Sequence, residues 1–373
     1  MENTNGSAWI TDAWNDIEKK IEKTSRRIGA SFPHKSVNGK YDNEVIDWWT
    51  NGFWPGLMWL MYVGTKNDFY KSIAEQCELK LDEALTTSFY GLHHDVGFMW
   101  LPTSVANYRI TGNKESRRRG LIAAAYLCSR FNIRGNFIRA WNEDRVGWAI
   151  IDSMMNLPLL NWASNETGDP RYAFIAEAHA EKVMNNFIRN DGSVDHIVNF
   201  DPNTGEKIES FGGQGYENGS SWSRGQAWAI YGFVILYRNT GNAVYLDAAK
   251  RIAHYFMAAL PDDFVAPSDF RAPAEGDAIK DVTATACAAS ALLDISESVS
   301  DYQKGMYENK AKKMLQSLYE NYGAWNEAEE GLLTKGTIDY HQKSTRNIPV
   351  IYGDFYFVEA VMKLSGKGFS VWY

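Results

Sequence analysis

Asp152 is an acidic residue within residues 148–160, a stretch that otherwise consists mostly of large apolar and aromatic side chains. That composition is typical of a buried segment, and we predict a helix there. A buried carboxyl group must be paired or protonated, because burial disfavours its charged form. A carboxyl group near its protonation midpoint can serve as a general acid. Asp152 is therefore a candidate catalytic acid; the alternative is a structural Asp that caps a helix or binds a backbone amide.

A second carboxylate, Asp95, follows two histidines and precedes another apolar segment. Asp95 either caps the helix that begins there or faces Asp152 across a pocket. Metal binding by His93, His94 and Asp95 is a weaker interpretation, because no distant cluster of ligands completes the set.

The chain is rich in aromatic residues, with 14 Trp, 20 Tyr and 18 Phe. Residues 47–56 concentrate three Trp and one Phe, which predicts a wall on which sugar rings stack or, alternatively, an aromatic plug in the core. Arg224 lies between Trp222 and Gly225 at the start of an apolar helix. We favour its binding to a substrate carboxylate over a structural ion pair, because a guanidinium matches a carboxylate with two parallel hydrogen bonds.

The bulk composition excludes several classes of function. A net charge of −8 argues against nucleic-acid binding, which requires basic surfaces. No apolar run approaches the roughly 20 residues of a membrane span, and no signal peptide is evident at the N-terminus. Three widely spaced cysteines predict no disulfide framework and fit a reducing compartment, so we expect a cytoplasmic protein without a membrane partner. Its oligomeric state is left open between monomer and homodimer.

A repeated phrase organises the chain. Thr-Gly-Asn or a close variant recurs at 65–67, 111–113, 167–169 and 240–242, and suits a helix end followed at once by a new helix start. Apolar helices are expected near 52–63, 97–110, 149–164, 225–238, 282–297 and 353–365. Amphipathic helices are expected near 9–28, 68–86, 114–130, 170–187, 243–259 and 302–320, and a short strand within 194–200. Six of each kind predict a single all-α domain over 1–373, an (α/α)6 barrel with six inner and six outer helices; an open solenoid is the alternative.

Five segments, taken in order, resemble the unsaturated glucuronyl hydrolases, family 88 of the glycoside hydrolases. They read HHDVGF at 93–98, IIDSMMNLPLL at 150–160, FDPNTG at 200–205, WSRGQAWAIYG at 222–232 and YGDFY at 352–356. The resemblance covers nearly the whole chain. It implies an (α/α)6 barrel, in agreement with the helix count.

The resemblance implies a hydrolase that removes the 4,5-unsaturated uronic acid from the non-reducing end of lyase-generated, glycosaminoglycan-type disaccharides. Asp152 matches the general acid/base, which protonates C4 and then takes a proton from the water that attacks C5. The direct event is hydration of a double bond rather than displacement by two carboxylates. Asp95 matches a second essential Asp that contacts the sugar hydroxyls. The positions that match substrate contacts are Trp49, Phe53, His94, Trp141, His196, Gln214, Arg224 and Trp228. The resemblance implies no metal and no organic cofactor.

The sequence departs from the family pattern in three places. Arg139 stands where Gln is common, and His196 is followed by Ile197 rather than Thr. Residues 339–344 do not reproduce the Ser/Ser/Lys cluster of members that favour sulfated disaccharides, which weakens the expectation of such a preference. None of these departures touches Asp95 or Asp152.

Three other functions are compatible with parts of the pattern. An unsaturated rhamnogalacturonyl hydrolase acting on pectin fragments would share the barrel and the acid. A non-catalytic sugar-binding barrel would have no need of the Asp pair. A sugar epimerase would require paired histidines across the pocket, for which only His94 and His196 are candidates.

Overall fold

The fold follows from helices that are buried on all sides and helices that are buried on one side. The computed structural model describes residues 8–142, 144–273, 279–326 and 328–373. The outer helices, in chain order, are α1 (Ala8–Ile28), α3 (Asp68–Thr87), α6 (Lys114–Ser129), α8 (Arg171–Asn186), α10 (Ala243–Ala259) and α12 (Asp301–Tyr322). Each buries one stripe of its surface, as amphipathic helices do against a core.

The inner helices are buried almost throughout. In chain order they are α2 (Phe53–Thr65), α4 (Val96–Trp100) continuing into α5 (Ala106–Thr111), α7 (Pro158–Thr167), α9 (Ser223–Thr240), α11 (Val282–Ser298) and α13 (Ile351–Leu364). Neighbouring inner helices pack against one another, and α13 packs against α2, so the ring closes. The predicted (α/α)6 barrel of six inner and six outer helices is confirmed. Among the described residues, no helix is long and apolar enough to cross a membrane.

The predicted Thr-Gly-Asn turns join inner to outer helices. Gly112, Gly168 and Gly241 end α5, α7 and α9 with φ between 69° and 75°, a left-handed conformation that glycine adopts at little cost. Asn113 and Asn242 then accept hydrogen bonds from the first amides of the next helix. These turns are short, so each amphipathic helix folds back directly onto its apolar neighbour.

Two inner positions contain segments that are not α-helical. Between α4 and α5, residues Leu101–Val105 form a π-helical segment that contains Pro102. Before α7, the chain forms the strand β5 (Trp148–Ile150) and a 3-10 turn (Ile151–Met155). The prediction of a continuous helix from 149 was therefore wrong at its start, because residues 148–150 pair with another strand instead of forming helical hydrogen bonds. Asp152 lies on the 3-10 turn.

Small antiparallel sheets cover the pocket end of the barrel. Strands β1 (Ser36–Val37) and β2 (Lys40–Tyr41) pair, as do β3 (Phe131–Asn132) and β4 (Phe137–Ile138). Strand β5 pairs with β6 (Ile197–Phe200), which pairs with β7 (Lys207–Phe211). The strand predicted within 194–200 is confirmed. Ile150 lies opposite Ile197, so this sheet fixes the chain immediately before Asp152.

We expect α9 to tolerate no side chain at Gly232, where it packs on the turn that carries Asp152. A Cβ atom there would lie 2.5 Å from the Cβ of Met154 and 2.7 Å from its carbonyl carbon. Gly232→Ala should lower the free energy of unfolding by about 1–3 kcal/mol, the usual cost of overpacking. The control is Gly305→Ala in the exposed part of α12, where the nearest atom is 3.7 Å away. It should be neutral or stabilise by up to about 1 kcal/mol. Equal effects of both changes in urea unfolding would contradict this packing.

Candidate active site

Strand β5 and the 3-10 turn that follows it fix the position of Asp152. The amide of Ile151 donates to the carbonyl oxygen of His196 at 3.0 Å, which continues the β5–β6 ladder into the turn. The rest of the turn, from Ile151 to Met155, is buried except at Asp152, whose side chain keeps 13% of its surface exposed. A single carboxyl group thus faces the pocket from an apolar wall.

The side chains of Asp95 and Asp152 both lie next to the ring of His94. The Nε2 atom of His94 lies 3.5 Å from an oxygen of Asp95 and 3.5 Å from an oxygen of Asp152. The two carboxylate oxygens are therefore separated by no more than twice that distance. The expectation that Asp95 faces Asp152 is supported, although the two residues come from different inner positions of the barrel. His94 is fully buried, and neither ring nitrogen has a hydrogen-bond partner within the described part of the chain.

The two carboxyl groups have pKa values shifted in opposite directions. Burial raises the pKa of Asp152 well above its usual value, and the negative charge of Asp95 raises it further. Burial also opposes ionisation of Asp95, but His94, His93 and the Asn156 amide together lower the pKa of that carboxyl. Burial lowers the pKa of His94 to about 4, so its ring is neutral at physiological pH. The surroundings therefore favour the protonated form of Asp152 and the ionised form of Asp95.

Asn156 holds the two carboxyl-bearing segments together. Its side-chain amide donates to Asp95 and to the backbone carbonyl of Asp152, each at 3.2 Å. Its side-chain oxygen accepts the amide of Phe98 at 2.8 Å, at the start of α4. Gly97 leaves room for this contact, since a Cβ atom there would lie 2.5 Å from the Cα of Asn156.

Trp49 and Trp228 form an aromatic wall beside the carboxyl groups. Their ring centroids are 6.0 Å apart and perpendicular, and Trp49 also packs on Phe98 and Tyr352. Trp49 is half-buried, so part of its ring remains available to a ligand. The expected substrate contact of Phe53 is wrong in this structure, because Phe53 has no exposed surface. It packs behind Trp49 at 6.1 Å and belongs to the core.

Arg224 is buried and its charge is already paired. Its guanidinium donates to Asp281 at 2.6 Å and to the carbonyl oxygen of Ile338 at 2.7 Å. Binding of a substrate carboxylate by Arg224 stays a prediction, but the structure shows that Arg224 already forms a structural ion pair with Asp281. The sequence could not reveal this, because Asp281 is the N-cap of α11 and is distant in the chain. Only the Nε atom of Arg224 lacks a partner within the described residues.

His196, Gln214 and Trp222 form a second cluster around Arg224. The Nδ1 atom of His196 lies 2.9 Å from the carbonyl oxygen of Gly212, and its ring packs on Trp222 with centroids 4.1 Å apart. The guanidinium of Arg224 lies over the Trp222 ring, 4.5 Å from its centroid. Gln214 donates, like Arg224, to the carbonyl oxygen of Ile338. Trp222 was not predicted as a site residue, although it lies in the WSRGQAW segment.

Trp141 stands at the edge of the site. The residue before it, Ala140, accepts the backbone amide of His94 at 3.2 Å, which links this segment to the carboxyl pair. The Trp141 ring packs on Trp148 at 5.6 Å, and the guanidinium of Arg145 lies over both rings. The structure therefore brings the predicted residues into one connected region, with Phe53 beneath it.

The only group of potential metal ligands identified among the described residues lies in the same place. One ligand atom each from His93, His94 and Asp95 falls within 4.8 Å of the others. The three residues are consecutive, and His94 and Asp95 are buried. This geometry would permit a metal ion, so the absence of a metal requirement stays a prediction.

Sugar rings stack on aromatic faces, and a protonated carboxyl group beside an ionised one supplies the proton that cleavage of a glycosidic bond requires. The barrel and this site are those of a glycoside hydrolase. More specifically, the chain belongs to Glycosyl Hydrolase Family 88, whose sequence profile matches residues 20–371.

Several characterised proteins are similar over nearly the whole chain. An unsaturated glucuronyl hydrolase from Bacillus sp. strain GL1 is 36% identical over 93% of this chain and 94% of its own. An unsaturated chondroitin disaccharide hydrolase from Streptococcus pneumoniae is 35% identical over 84% of this chain and 81% of its own. The crystal structure of the unsaturated glucuronyl hydrolase from Bacillus sp. GL1, responsible for the degradation of glycosaminoglycan, superimposes with a TM-score of 0.93. It is 34% identical and covers 98% of this chain and 99% of its own.

The raised pKa of Asp152 predicts a pH-dependent cost in stability. In the unfolded chain an Asp ionises near pH about 4, whereas folded Asp152 keeps its proton to higher pH. The free energy of unfolding should therefore fall as pH rises through the folded-state pKa, because the folded state binds the extra proton. Asp152→Asn cannot ionise, so we expect its stability relative to the wild type to increase as pH rises above about 4.

Urea unfolding at a series of pH values measures this difference. The matched control is Asp144→Asn, which changes an exposed carboxylate. Its difference from the wild type should vary little over the same pH interval. A wild type and Asp152→Asn with parallel pH profiles would contradict the raised pKa.

Proposed function

We propose that this chain hydrolyses lyase-generated oligosaccharides that carry a 4,5-unsaturated uronic acid at the non-reducing end, and that glycosaminoglycan-type disaccharides are its substrates. The observation that carries the proposal is the pair of carboxyl groups beside His94, whose surroundings shift their pKa values in opposite directions. The Family 88 relatives support the substrate class, since their names specify unsaturated glucuronyl and unsaturated chondroitin disaccharide hydrolases.

The reaction begins with proton transfer from Asp152 to C4 of the C4=C5 double bond. Positive charge develops at C5 and on the ring oxygen, and water adds to C5. The ionised Asp152 takes the proton that this water releases, so the residue acts first as acid and then as base. The resulting C5 hemiketal opens to a ketone, and the hemiacetal left at C1 releases the leaving sugar as an alcohol. Overall, one water molecule is consumed and the double bond is lost.

Asp95 has two roles in this proposal. Together with burial, its negative charge raises the pKa of Asp152, which favours the protonated form of the acid. Its carboxylate can also accept hydrogen bonds from the sugar hydroxyls, since Asn156, His93 and His94 hold it in the pocket. Trp49, which is half-buried, supplies a flat surface against which the planar unsaturated ring packs, and Trp228 stands perpendicular to it with 2% of its surface exposed. We expect His196, Gln214 and Trp141 to contact the leaving sugar, and the Nε atom of Arg224 to donate to the carboxylate of the unsaturated sugar.

A cytoplasmic location is also part of the proposal. The three cysteines are free, and Cys77 and Cys287 are buried, which suits a reducing compartment. The substrate would then be a small oligosaccharide that has already been released by a lyase.

Asp152→Asn should abolish turnover while leaving the fold intact. The amide cannot donate or accept the catalytic proton, so we expect kcat to fall at least about 1000-fold, in the upper range for a general acid/base. The assay is the loss of ultraviolet absorbance as the conjugated double bond is hydrated. Suitable substrates are unsaturated disaccharides from unsulfated chondroitin, sulfated chondroitin, hyaluronan and rhamnogalacturonan. Asp144→Asn, at the exposed surface, serves as the control and should retain full activity.

A variant at Asp152 that kept most of its activity would overturn the assignment of the acid. Turnover of the rhamnogalacturonan product alone would favour the rhamnogalacturonyl alternative. Binding of all these sugars by the wild type without loss of absorbance would favour a sugar-binding barrel.

Removal of metal ions should leave the activity unchanged. The proposed proton transfers use only carboxyl groups, so dialysis against EDTA should alter kcat less than about 2-fold, well below the effect of losing a catalytic metal. Metal analysis of the dialysed protein provides the control. Loss of activity that added Zn²⁺ or Mn²⁺ restores would instead assign a metal to the His93, His94 and Asp95 cluster.

A further inference from the structure

A buried histidine on an outer helix touches the turn that carries Asp152. His179 lies on α8, is fully buried, and has no place in the proposed proton transfers. Its Nε2 atom is 2.7 Å from the hydroxyl oxygen of Ser153, the residue that follows Asp152. A buried polar group of this kind calls for an explanation, because an outer helix of the barrel usually buries apolar side chains.

The hydrogen bonds around His179 fix its tautomer. The amide of Ile138 donates to Nδ1 at 2.9 Å, so Nδ1 must carry a lone pair. Burial lowers the pKa of His179 to about 3, so the ring is neutral and its single proton is on Nε2. Nε2 therefore donates to the Ser153 hydroxyl, which in turn donates to the carbonyl oxygen of Ile150 at 2.6 Å. The three hydrogen bonds therefore run in one direction, from the Ile138 amide to the Ile150 carbonyl oxygen.

This chain of hydrogen bonds connects three elements. Ile138 is in β4 and His179 is in α8. Ile150 ends β5 and Ser153 lies in the 3-10 turn, so these two residues flank the short segment that contains Asp152. Two residues after Ile138, Ala140 accepts the amide of His94. The segments that carry Asp152 and His94 are thus both tied, through β4 and the turn, to one imidazole ring.

We infer that His179 is a positioning residue, which holds the Asp152 turn in its catalytic geometry through the Ser153 hydroxyl. The inference rests on the proposed function, because its effect is on the acid/base step. It assigns His179 no contact with substrate. A displacement of the acid by a fraction of an ångström is sufficient to slow proton transfer strongly.

Two substitutions of His179 separate positioning from simple packing. His179→Gln can place an amide N–H near the Nε2 position and keep the bond to Ser153, whereas His179→Asn can accept the Ile138 amide but is too short to reach Ser153. Both remove the ring and should lower thermal stability to a similar extent. We expect His179→Asn and Ser153→Ala to lower kcat about 10- to 100-fold with KM within about 2-fold, and His179→Gln to keep more of the activity.

The control is His254→Asn on the outer helix α10, where the residue is exposed and its Nε2 atom lies 2.9 Å from the Tyr307 hydroxyl. It should lose stability without loss of kcat. Ser153→Ala removes a single oxygen, so it keeps the test available if the His179 variants fail to fold. Folded Ser153→Ala with wild-type kcat, or equal losses of kcat in His179→Asn and His179→Gln, would overturn the positioning role.

A second measurement does not depend on turnover. Nitrogen-15 NMR of the wild-type chain should show His179 as the Nε2–H tautomer from about pH 5 to about pH 8, since its hydrogen bonds leave no other neutral arrangement. An Nδ1–H tautomer would overturn the inference.

Failure of the wild type to hydrate any unsaturated disaccharide would count against the proposed function. An active wild type with unaffected variants would count only against the role of His179.

Discussion

A carboxyl group in an apolar wall loses most of the hydration that stabilises its charge, and much of the architecture around this site follows from that constraint. Asp152 has burial and a neighbouring negative charge acting against its ionisation. Asp95 can remain ionised nearby because histidines and the Asn156 amide surround it. In water both groups would ionise at a similar pH, so the difference between them would disappear. The barrel therefore gives two chemically identical side chains different pKa values.

The inner helices bury the surroundings of the site, and the interruption before α7 leaves the Asp152 side chain partly exposed. Uninterrupted helices such as α9 and α11 form the closed wall, with nearly every side chain buried. Asp152 instead lies where strand β5 and a 3-10 turn replace the first turns of a helix. A side chain on a regular inner helix would pack among its neighbours. On the 3-10 turn it projects into the pocket, and the strand pairing and the Asn156 bonds make that exposed position rigid.

Much of the barrel was predictable because the glycine turns and the apolar periodicity are local features of the sequence. The candidate acid could be proposed from one carboxylate among apolar neighbours. The start of the third inner helix was not predictable, since residues 148–150 are as apolar as a helix and become a strand only by pairing with 197–199. The same limit applies to Arg224. Its partner, Asp281, comes from a distant helix start, and a single sequence does not reveal that pair.

The central claim is that Asp152 is protonated and Asp95 ionised at neutral pH. Carbon-13 NMR titration of the two carboxyl carbons in the wild-type chain, assigned with Asp152→Asn and Asp95→Asn, tests it directly. The account predicts that Asp95 titrates below the usual range for Asp and that Asp152 titrates well above it. It also predicts that Asp95→Asn lowers the pKa of Asp152, because the neighbouring charge is removed. Titration of both carboxyl groups near pH about 4 would contradict the account, since the site would then hold no acid to donate a proton.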